Sequence, residues 1–348
     1  MLIAMSRSRR DLPPTAYERP LVLSLLALFL CLGGCDCDGE PRRVVTPVAY
    51  PEETEESLAS LQRETQVAAR RGVDYLLAKR GSLPGEWGLF TYAMLARMAP
   101  DEELAARCRS ALNESAQRPQ AELPADLGTG DLLEVKRLRP LLNELWRRRI
   151  AGESWEPEVA QLQSLLGERE EELWTPMAIG DQLVTLHLLH RLGIQTRLSV
   201  DDIMAELRWM WGVGDQDALL LDVAFMYAVT HIFYVGSGYF QERLDPERYP
   251  NEIALFDRAL ESYARSFPEN ANFVDISGEI LASRRLLGLP ETGASRALIR
   301  ELLRRQKPDG SWLVPRGFQD VHATASVVHG VIDWPAEFRR LPLPGDAG

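Results

Sequence analysis

Gln306-Lys307-Pro308-Asp309-Gly310-Ser311-Trp312 decides how this chain of 348 residues is read, because a weaker copy stands near the start of its periodic part. In the later copy Arg296-Ala297 precedes Leu302, Gln306 and the Asp-Gly-Ser-Trp turn. In the earlier one Arg71-Gly72 precedes Tyr75-Leu76, Arg80 and Gly85-Glu86-Trp87. Two copies with one spacing indicate a repeat fold. Each begins with an apolar-periodic segment, Val73, Leu76 and Leu77 in one and Leu298, Ile299, Leu302 and Leu303 in the other, and then meets a Gly/Pro turn. The unit is therefore helix, turn, helix. A Trp just after the turn caps the preceding helix with its ring and offers its indole N–H to a free carbonyl.

These two copies resemble the QW repeat of squalene and hopene cyclases, within the wider α/α-toroid group that includes prenyltransferase β-subunits and the thioester domains of complement-like proteins. The likeness covers residues 71–87 and 296–312, with Arg80 where that family has Gln and Glu301 where it has an aromatic. It implies an all-α fold, an (α/α)6 toroid. It implies little about chemistry, since one fold hosts unrelated functions.

The rest of the chain agrees with that architecture. From about residue 55 to 335 helical periodicity is broken at short intervals by Gly, Pro and Asp, with no long alternating run, and division at these breaks gives about twelve helices. The inner members are expected at 86–98, 129–146, 177–192, 216–235, 272–288 and 320–333. The outer ones are expected at 55–80, 101–114, 155–168, 199–212, 251–267 and 294–306. Inner helices should be apolar and rich in small residues. Segments 218–235, 276–287 and 323–331 fit, whereas Glu134, Lys136, Arg137 and Arg139 crowd the second.

Before this domain the sequence reads as an export signal. Arg7, Arg9, Arg10 and Arg19 precede the apolar run from Leu21 to Leu30 and then Leu32-Gly33-Gly34-Cys35. The run is too short to favour a spanning helix. Small residues before a Cys resemble the lipobox of bacterial lipoproteins, which implies a signal peptide over 1–34, acylation of Cys35 and attachment to a membrane of the cell envelope through lipid chains. Residues 35–54 read as a Pro-containing tether, 55–335 as the helical domain and 336–348 as a tail.

Charge excludes one class of partner. The net charge of −12 becomes −14 without residues 1–34, which carry four Arg and two acidic groups. Such a field repels nucleic acid. The four cysteines, Cys31, Cys35, Cys37 and Cys108, do not make a disulfide framework, and Cys108 within a helical segment reads as a small buried hydrophobe.

All five histidines, His187, His190, His231, His322 and His329, fall on expected inner helices. Neutral His is a metal ligand and a near-neutral acid or base. Asp275 and Glu279 are four apart on the fifth inner helix and share a face. A catalytic or metal site is therefore built from His231, Asp275, Glu279 and His322, which come from three consecutive inner helices. Prenyltransferase β-subunits hold zinc with Asp, Cys and His from late inner helices. Asp275 and His322 stand in comparable places, but no Cys lies between 109 and 348, so that set does not carry over whole. For the other acidic groups expected near inner-helix starts, Glu86, Asp131, Asp181, Asp217, Asp222 and Asp320, capping and the helix dipole account for most, and some are left for function.

Other signatures are missing. Ser199-Val200-Asp201-Asp202 lacks the first Asp of the cyclase protonation motif and reads as a helix cap. There is no Asp-Asp-x-x-Asp and no Cys-x-x-Gln, and Gly236-Ser237-Gly238 lacks nucleophile-elbow spacing. The aromatic stretch His231 to Phe240, with Tyr227 one turn before it, reads mainly as core packing and otherwise as the wall of an apolar pocket. Two functions remain in view: a lipid-anchored protein that binds a small apolar ligand or a partner protein, and an enzyme, metal-dependent or acid/base, working in the central cavity.

Overall fold

The computed structural model describes residues 50, 52–80, 85–119, 121, 135–312 and 320–341. The signal segment, Cys35, nearly all of the tether, Asp131 and residues 342–348 lie outside that description, as do the side chains of Glu86 and Trp87.

Apolar spacing makes the helices and polar caps start them. Thr54 Oγ1 accepts from Ser57 N at 3.2 Å, Asp101 Oδ1 from Leu104 N at 2.8 Å, and reciprocal capping boxes join Ser199 to Asp202 and Thr292 to Ser295. Each such cap is worth about 1 kcal/mol. The described residues hold thirteen α-helices, one short 3₁₀ turn and no strand. They are α1 (Glu55–Ala78), α2 (Gly85–Met98), α3 (Glu102–Ala116), α4 (Val135–Ala151), α5 (Glu156–Trp174), α6 (Ile179–Arg191), α7 (Val200–Val213), α8 (Gln216–Leu220), α9 (Val223–Gly236), α10 (Pro250–Arg265), α11 (Asn272–Leu286), α12 (Gly293–Arg305) and α13 (Asp320–Val331).

Two expected helices differ. The segment expected as one helix over 216–235 is split into α8 and α9, because Asp222 leaves the helical path and its side chain accepts from Phe225 N at 2.9 Å to begin a new helix. The second inner helix continues to Ala151 rather than 146. Its charges do not prevent burial, since Arg147 and Glu144 pair at 2.9 Å with both side chains enclosed, and Leu138, Leu141, Leu142, Leu145 and Trp146 fill the remaining face. The helix expected at 86–98 is found over Gly85–Met98.

Burial separates the two classes of helix. In α11, 13 of 15 residues are buried and in α13 10 of 12, against 6 of 16 in α10 and 5 of 13 in α12. Neighbours follow a closed order: α2 touches α4, α4 touches α6, α6 touches α9, α9 touches α11, α11 touches α13 and α13 touches α2. Helix α1 also packs on α12 and α13, so the first and last helices of the described chain meet.

The 306–312 stretch makes that junction. Trp312 is fully buried and its Nε1 donates to Leu302 O at 2.7 Å, capping the end of α12, while its backbone N–H donates to Thr324 Oγ1 of α13 at 3.0 Å. Gln306 Nε2 reaches α1 and donates to Ala68 O at 2.8 Å. Gly72 of α1 lies so close that a Cβ there would sit 2.9 Å from the Trp312 ring. One loop thus ties together α1, α12 and α13.

Arginines close the other helix ends. Arg149 donates to Arg191 O, Arg191 to Gly238 O, Arg243 to Arg285 O at 2.8 Å, Arg285 to Ile332 O and Arg339 to Ala99 O at 3.1 Å. Each guanidinium meets a carbonyl that a helix C-terminus leaves without an intrahelical donor, at the negative end of its dipole.

Candidate active site

The site begins with two glycines. A Cβ on Gly278 of α11 would lie 2.5 Å from the Ser326 carbonyl of α13, and one on Gly330 would lie 2.5 Å from Gly278 O. Glycine therefore permits backbone contact between α11 and α13, and this brings Asp275 and Glu279 against His322 and Ser326.

Asp275 and Glu279 are fully enclosed. His322 Nε2 lies 3.0 Å from Asp275 Oδ2 and 3.9 Å from Glu279 Oε1. Tyr227 of α9 donates its hydroxyl to Asp275 Oδ2, and Thr230 Oγ1, one turn on, hydrogen-bonds Glu279 Oε2. His231 Nδ1 donates to Tyr227 O at 2.8 Å and sits 3.6 Å from Glu279 Oε2. That bond puts the proton on Nδ1 and leaves Nε2 as the basic nitrogen.

Burial and neighbours drive the two carboxyls apart. For Asp275 burial alone would raise the pKa, but the charge and hydrogen bond of His322, with the hydroxyls of Ser326 and Tyr227, hold it below the ordinary value. For Glu279 burial and then the charge of Asp275 push the pKa well up, against a smaller opposing effect of Thr230. Of the two, Asp275 is the readier to ionise and Glu279 the readier to keep its proton. Burial and then the charge of His322 push His231 down to about 4 and His329 to about 3, so both are neutral at pH 7.

Tyr227, His231, Glu279 and His322 open on a cavity of about 380 Å³, with Asp275 and Thr230 enclosed behind them. Phe90, Met94, Val184, Ala224 and Ala325 give it an apolar wall, while Tyr227, His231, Glu279, His322, Ser326 and His329 supply the polar side. Arg139 and Asp181, paired at 2.7 Å, are the charged couple in its lining farther up α4 and α6. Tyr239 adds an aromatic wall at the far end. It follows Gly238 and precedes Phe240 in a run of three left-handed residues with φ of 61°, 55° and 63°. Left-handed backbone costs roughly 1–2 kcal/mol at each non-glycine. Burial of both rings and the bond from Arg97 Nη1 to Tyr239 O at 2.8 Å hold the turn in place.

All four residues singled out from sequence, His231, Asp275, Glu279 and His322, come together here. They do not form one equivalent set. Donor atoms of Asp275, Glu279 and His322 all lie within 4.8 Å of one another, whereas His231 stands beside that trio with Nδ1 committed to its own helix. His329 shares the cavity with His322 about two turns away on the same helix, and neither of its ring nitrogens has a hydrogen-bond partner. His190 is exposed and bonds Thr196, and His187 lies outside this cavity. The aromatic stretch divides: Tyr227, His231, Tyr234 and Tyr239 face the cavity, while Phe233 and Phe240 are core. Thr230, Ser326 and Arg139 join the site as residues the sequence does not single out. A hydroxyl within an otherwise apolar buried helix was the available signal for the first two.

Among the described residues the remaining acidic candidates are accounted for by local bonds. Asp222 caps α9, Asp217 pairs with Arg258 at 2.6 Å, and Asp320 accepts from Tyr75 and from Val321 N. Asp202 completes its capping box as expected. Cys108 is free and buried, and burial pushes its thiol up to about 12, which removes it as a nucleophile.

Neither family models, curated proteins nor solved structures give a match to the chain.

Proposed function

We propose that the cavity binds a small, largely apolar molecule carrying one hydrogen-bonding group, and that Asp275 and Glu279 act on that group as base and acid. Behind this reading stand two buried carboxyls one turn apart, both within reach of His322 and with pKa values driven in opposite directions, of which Glu279 lines a cavity with apolar walls. A neutral Glu can deliver a proton at neutral pH, and an ionised Asp held against His322 can accept one through the imidazole. Carboxyl ¹³C NMR tests it. One glutamate signal should titrate well above the ordinary range and vanish in Glu279→Gln; titration of Glu279 near 4.5 sinks the assignment. An environment-sensitive apolar dye should bind the wild type and be shut out by Ala325→Trp.

A divalent ion such as zinc is a second reading, favoured by one feature. Glu279 Oε1 is buried without a hydrogen-bond partner, and with Asp275 and His322 the carboxylate offers two oxygens and a nitrogen within 4.8 Å of one another. That donor set fits such an ion. When bound, the ion would supply Lewis-acid polarisation of a ligand oxygen, and its charge would favour ionised Glu279. Metal analysis of protein purified without a His tag decides between the two readings, since the acid/base reading expects no stoichiometric metal and no loss of thermal stability with chelator.

The closed order of helix contacts, the arginine-capped helix ends and the Trp312 junction support an α/α-toroid as the architecture around this cavity. Anchoring of the domain to an envelope membrane through acylated Cys35 rests on the sequence around 20–35; among the described residues no helix is long and apolar enough to cross a membrane.

A further inference from the structure

A second cavity, of about 950 Å³, is formed by the last turns of α2, α4, α6 and α9 together with the segment after α13. Its position is distinct from the first, which is lined by the beginnings and middles of the same helices. Tyr239 separates them: it lines the first cavity, and its ring lies 4.2 Å from that of His187, which lines the second.

The wall of this second cavity is cationic. Arg97, Arg149, Arg191, Arg339 and Arg340 line it, with Glu242 as the acidic member, in a chain whose net charge is −12. Helix capping explains part of that concentration, since Arg149, Arg191 and Arg339 donate to helix-end carbonyls and Arg339 also pairs with Glu102 at 2.6 Å. It does not cancel the charge. A helix C-terminus carries roughly half a negative charge, against a whole positive one on each guanidinium. Four such ends with Glu242 and Glu102 leave the cavity net positive.

His187 adds an independent indication. Its side chain is 4% exposed, it lines the cavity, and its Nε2 has no hydrogen-bond partner. Burial first, then Arg191 and Arg97, keep it neutral. A buried imidazole nitrogen within the field of Arg191 and Arg97 is thus left without a hydrogen-bond partner.

We propose that this cavity binds a phosphate-type oxyanion, separately from the Asp275/Glu279 site. Guanidinium groups converging from several helices suit tetrahedral oxyanions with several acceptors. The volume exceeds that of a lone phosphate, so an esterified phosphate with a compact organic body fits as well as a free one.

The test is calorimetric titration of the purified protein with inorganic pyrophosphate and with phenyl phosphate, at fixed ionic strength, in chelator, with chloride as the reference anion. Saturable binding of either is expected; preference for pyrophosphate assigns a free anion, and preference for phenyl phosphate an esterified one. Arg340 is exposed, so Arg340→Gln should fold normally and weaken binding, and His187→Leu should weaken it roughly tenfold, the loss of one hydrogen bond to a charged group. Asp275→Asn and Glu279→Gln should bind as the wild type does. No binding above chloride at millimolar anion overturns the proposal, as does binding that both Arg340→Gln and His187→Leu leave unchanged or that Glu279→Gln abolishes.

Discussion

Asp275 and Glu279 lie one turn apart on α11, both fully enclosed, and yet the pKa of one is driven down and that of the other up. The difference comes from what each faces. Asp275 meets His322 at 3.0 Å and the Tyr227 hydroxyl, whereas Glu279 meets Thr230, the negative charge of Asp275 and a more distant His322 at 3.9 Å. Two carboxyls so close cannot both ionise in a buried site, and the better-solvated one by protein groups keeps the charge.

That asymmetry predicts unequal costs for isosteric substitution. Glu279→Gln replaces a neutral group with a neutral group of similar shape and should change stability by less than about 1.5 kcal/mol. Asp275→Asn removes a buried charge that His322 and Tyr227 are arranged around and should cost about 3 kcal/mol. Urea unfolding at pH 7 measures both. Equal losses in the two variants would remove the basis for separate acid and base roles.

The pH dependence of stability has a sign fixed by the groups involved. His329 is held at about 3 against an ordinary 6.5, so the unfolded chain takes up its proton first, and the folded state loses ground as pH falls below 6.5. At pH 5 this amounts to about 2 kcal/mol. His231, at about 4, works in the same direction. Glu279 works oppositely: with a raised folded pKa, its contribution is full below 4.5 and is lost as pH rises through the folded value. His329→Leu should therefore gain about 2 kcal/mol at pH 5 relative to its own difference from wild type at pH 8, a comparison in which any packing change cancels. Unfolding curves at the two pH values suffice, and a difference independent of pH contradicts the neutral, buried state of this ring.

The helices and the site were legible to different depths. Expected ranges 55–80, 272–288 and 294–306 end within two residues of α1, α11 and α12, because caps such as Thr292 and apolar spacing are local signals. The break at Asp222 was missed because an Asp inside an apolar run reads either as a solvated turn position or as a new cap, and only the Phe225 N–H decides. The grouping of His231, Asp275, Glu279 and His322 was visible as helical spacing on successive helices. Their inequality was not, since it depends on the backbone contact at Gly278 and on which hydroxyl reaches which carboxyl. The arginine caps were equally hidden: Arg149 to Arg191 and Arg285 to Ile332 are long-range bonds with no sequence period.

The contact at Gly278 and Gly330 carries a direct steric prediction. Any side chain there must push α11 and α13 apart, because the obstructing atoms are backbone rather than flexible side-chain ends. Gly278→Ala and Gly330→Ala should each cost about 3 kcal/mol, the upper range for overpacking a close-packed interior. Both should also loosen the Asp275 to His322 contact, so the Glu279 titration should move toward its ordinary value. Thermal melts together with the carboxyl NMR signal check the pair of effects; tolerance of both alanines would mean that the helices do not cross this closely.

Attachment to a membrane predicts a clean separation between anchor and domain. If Cys35 carries the lipid, Cys35→Ala leaves the export segment uncleaved or the mature chain unacylated, and the helical domain, whose described residues include no helix able to span a bilayer, has nothing else of that kind to hold it. Fractionation of a bacterial host expressing the full chain should then find wild type with the membranes and labelled by a fatty-acid analogue. Cys35→Ala should lose the label, and a version beginning at residue 50 behind a cleavable export signal should be recovered in the soluble fraction with an unchanged melting temperature. Label on the Cys35→Ala chain, or membrane retention of the shortened one, places the anchor elsewhere.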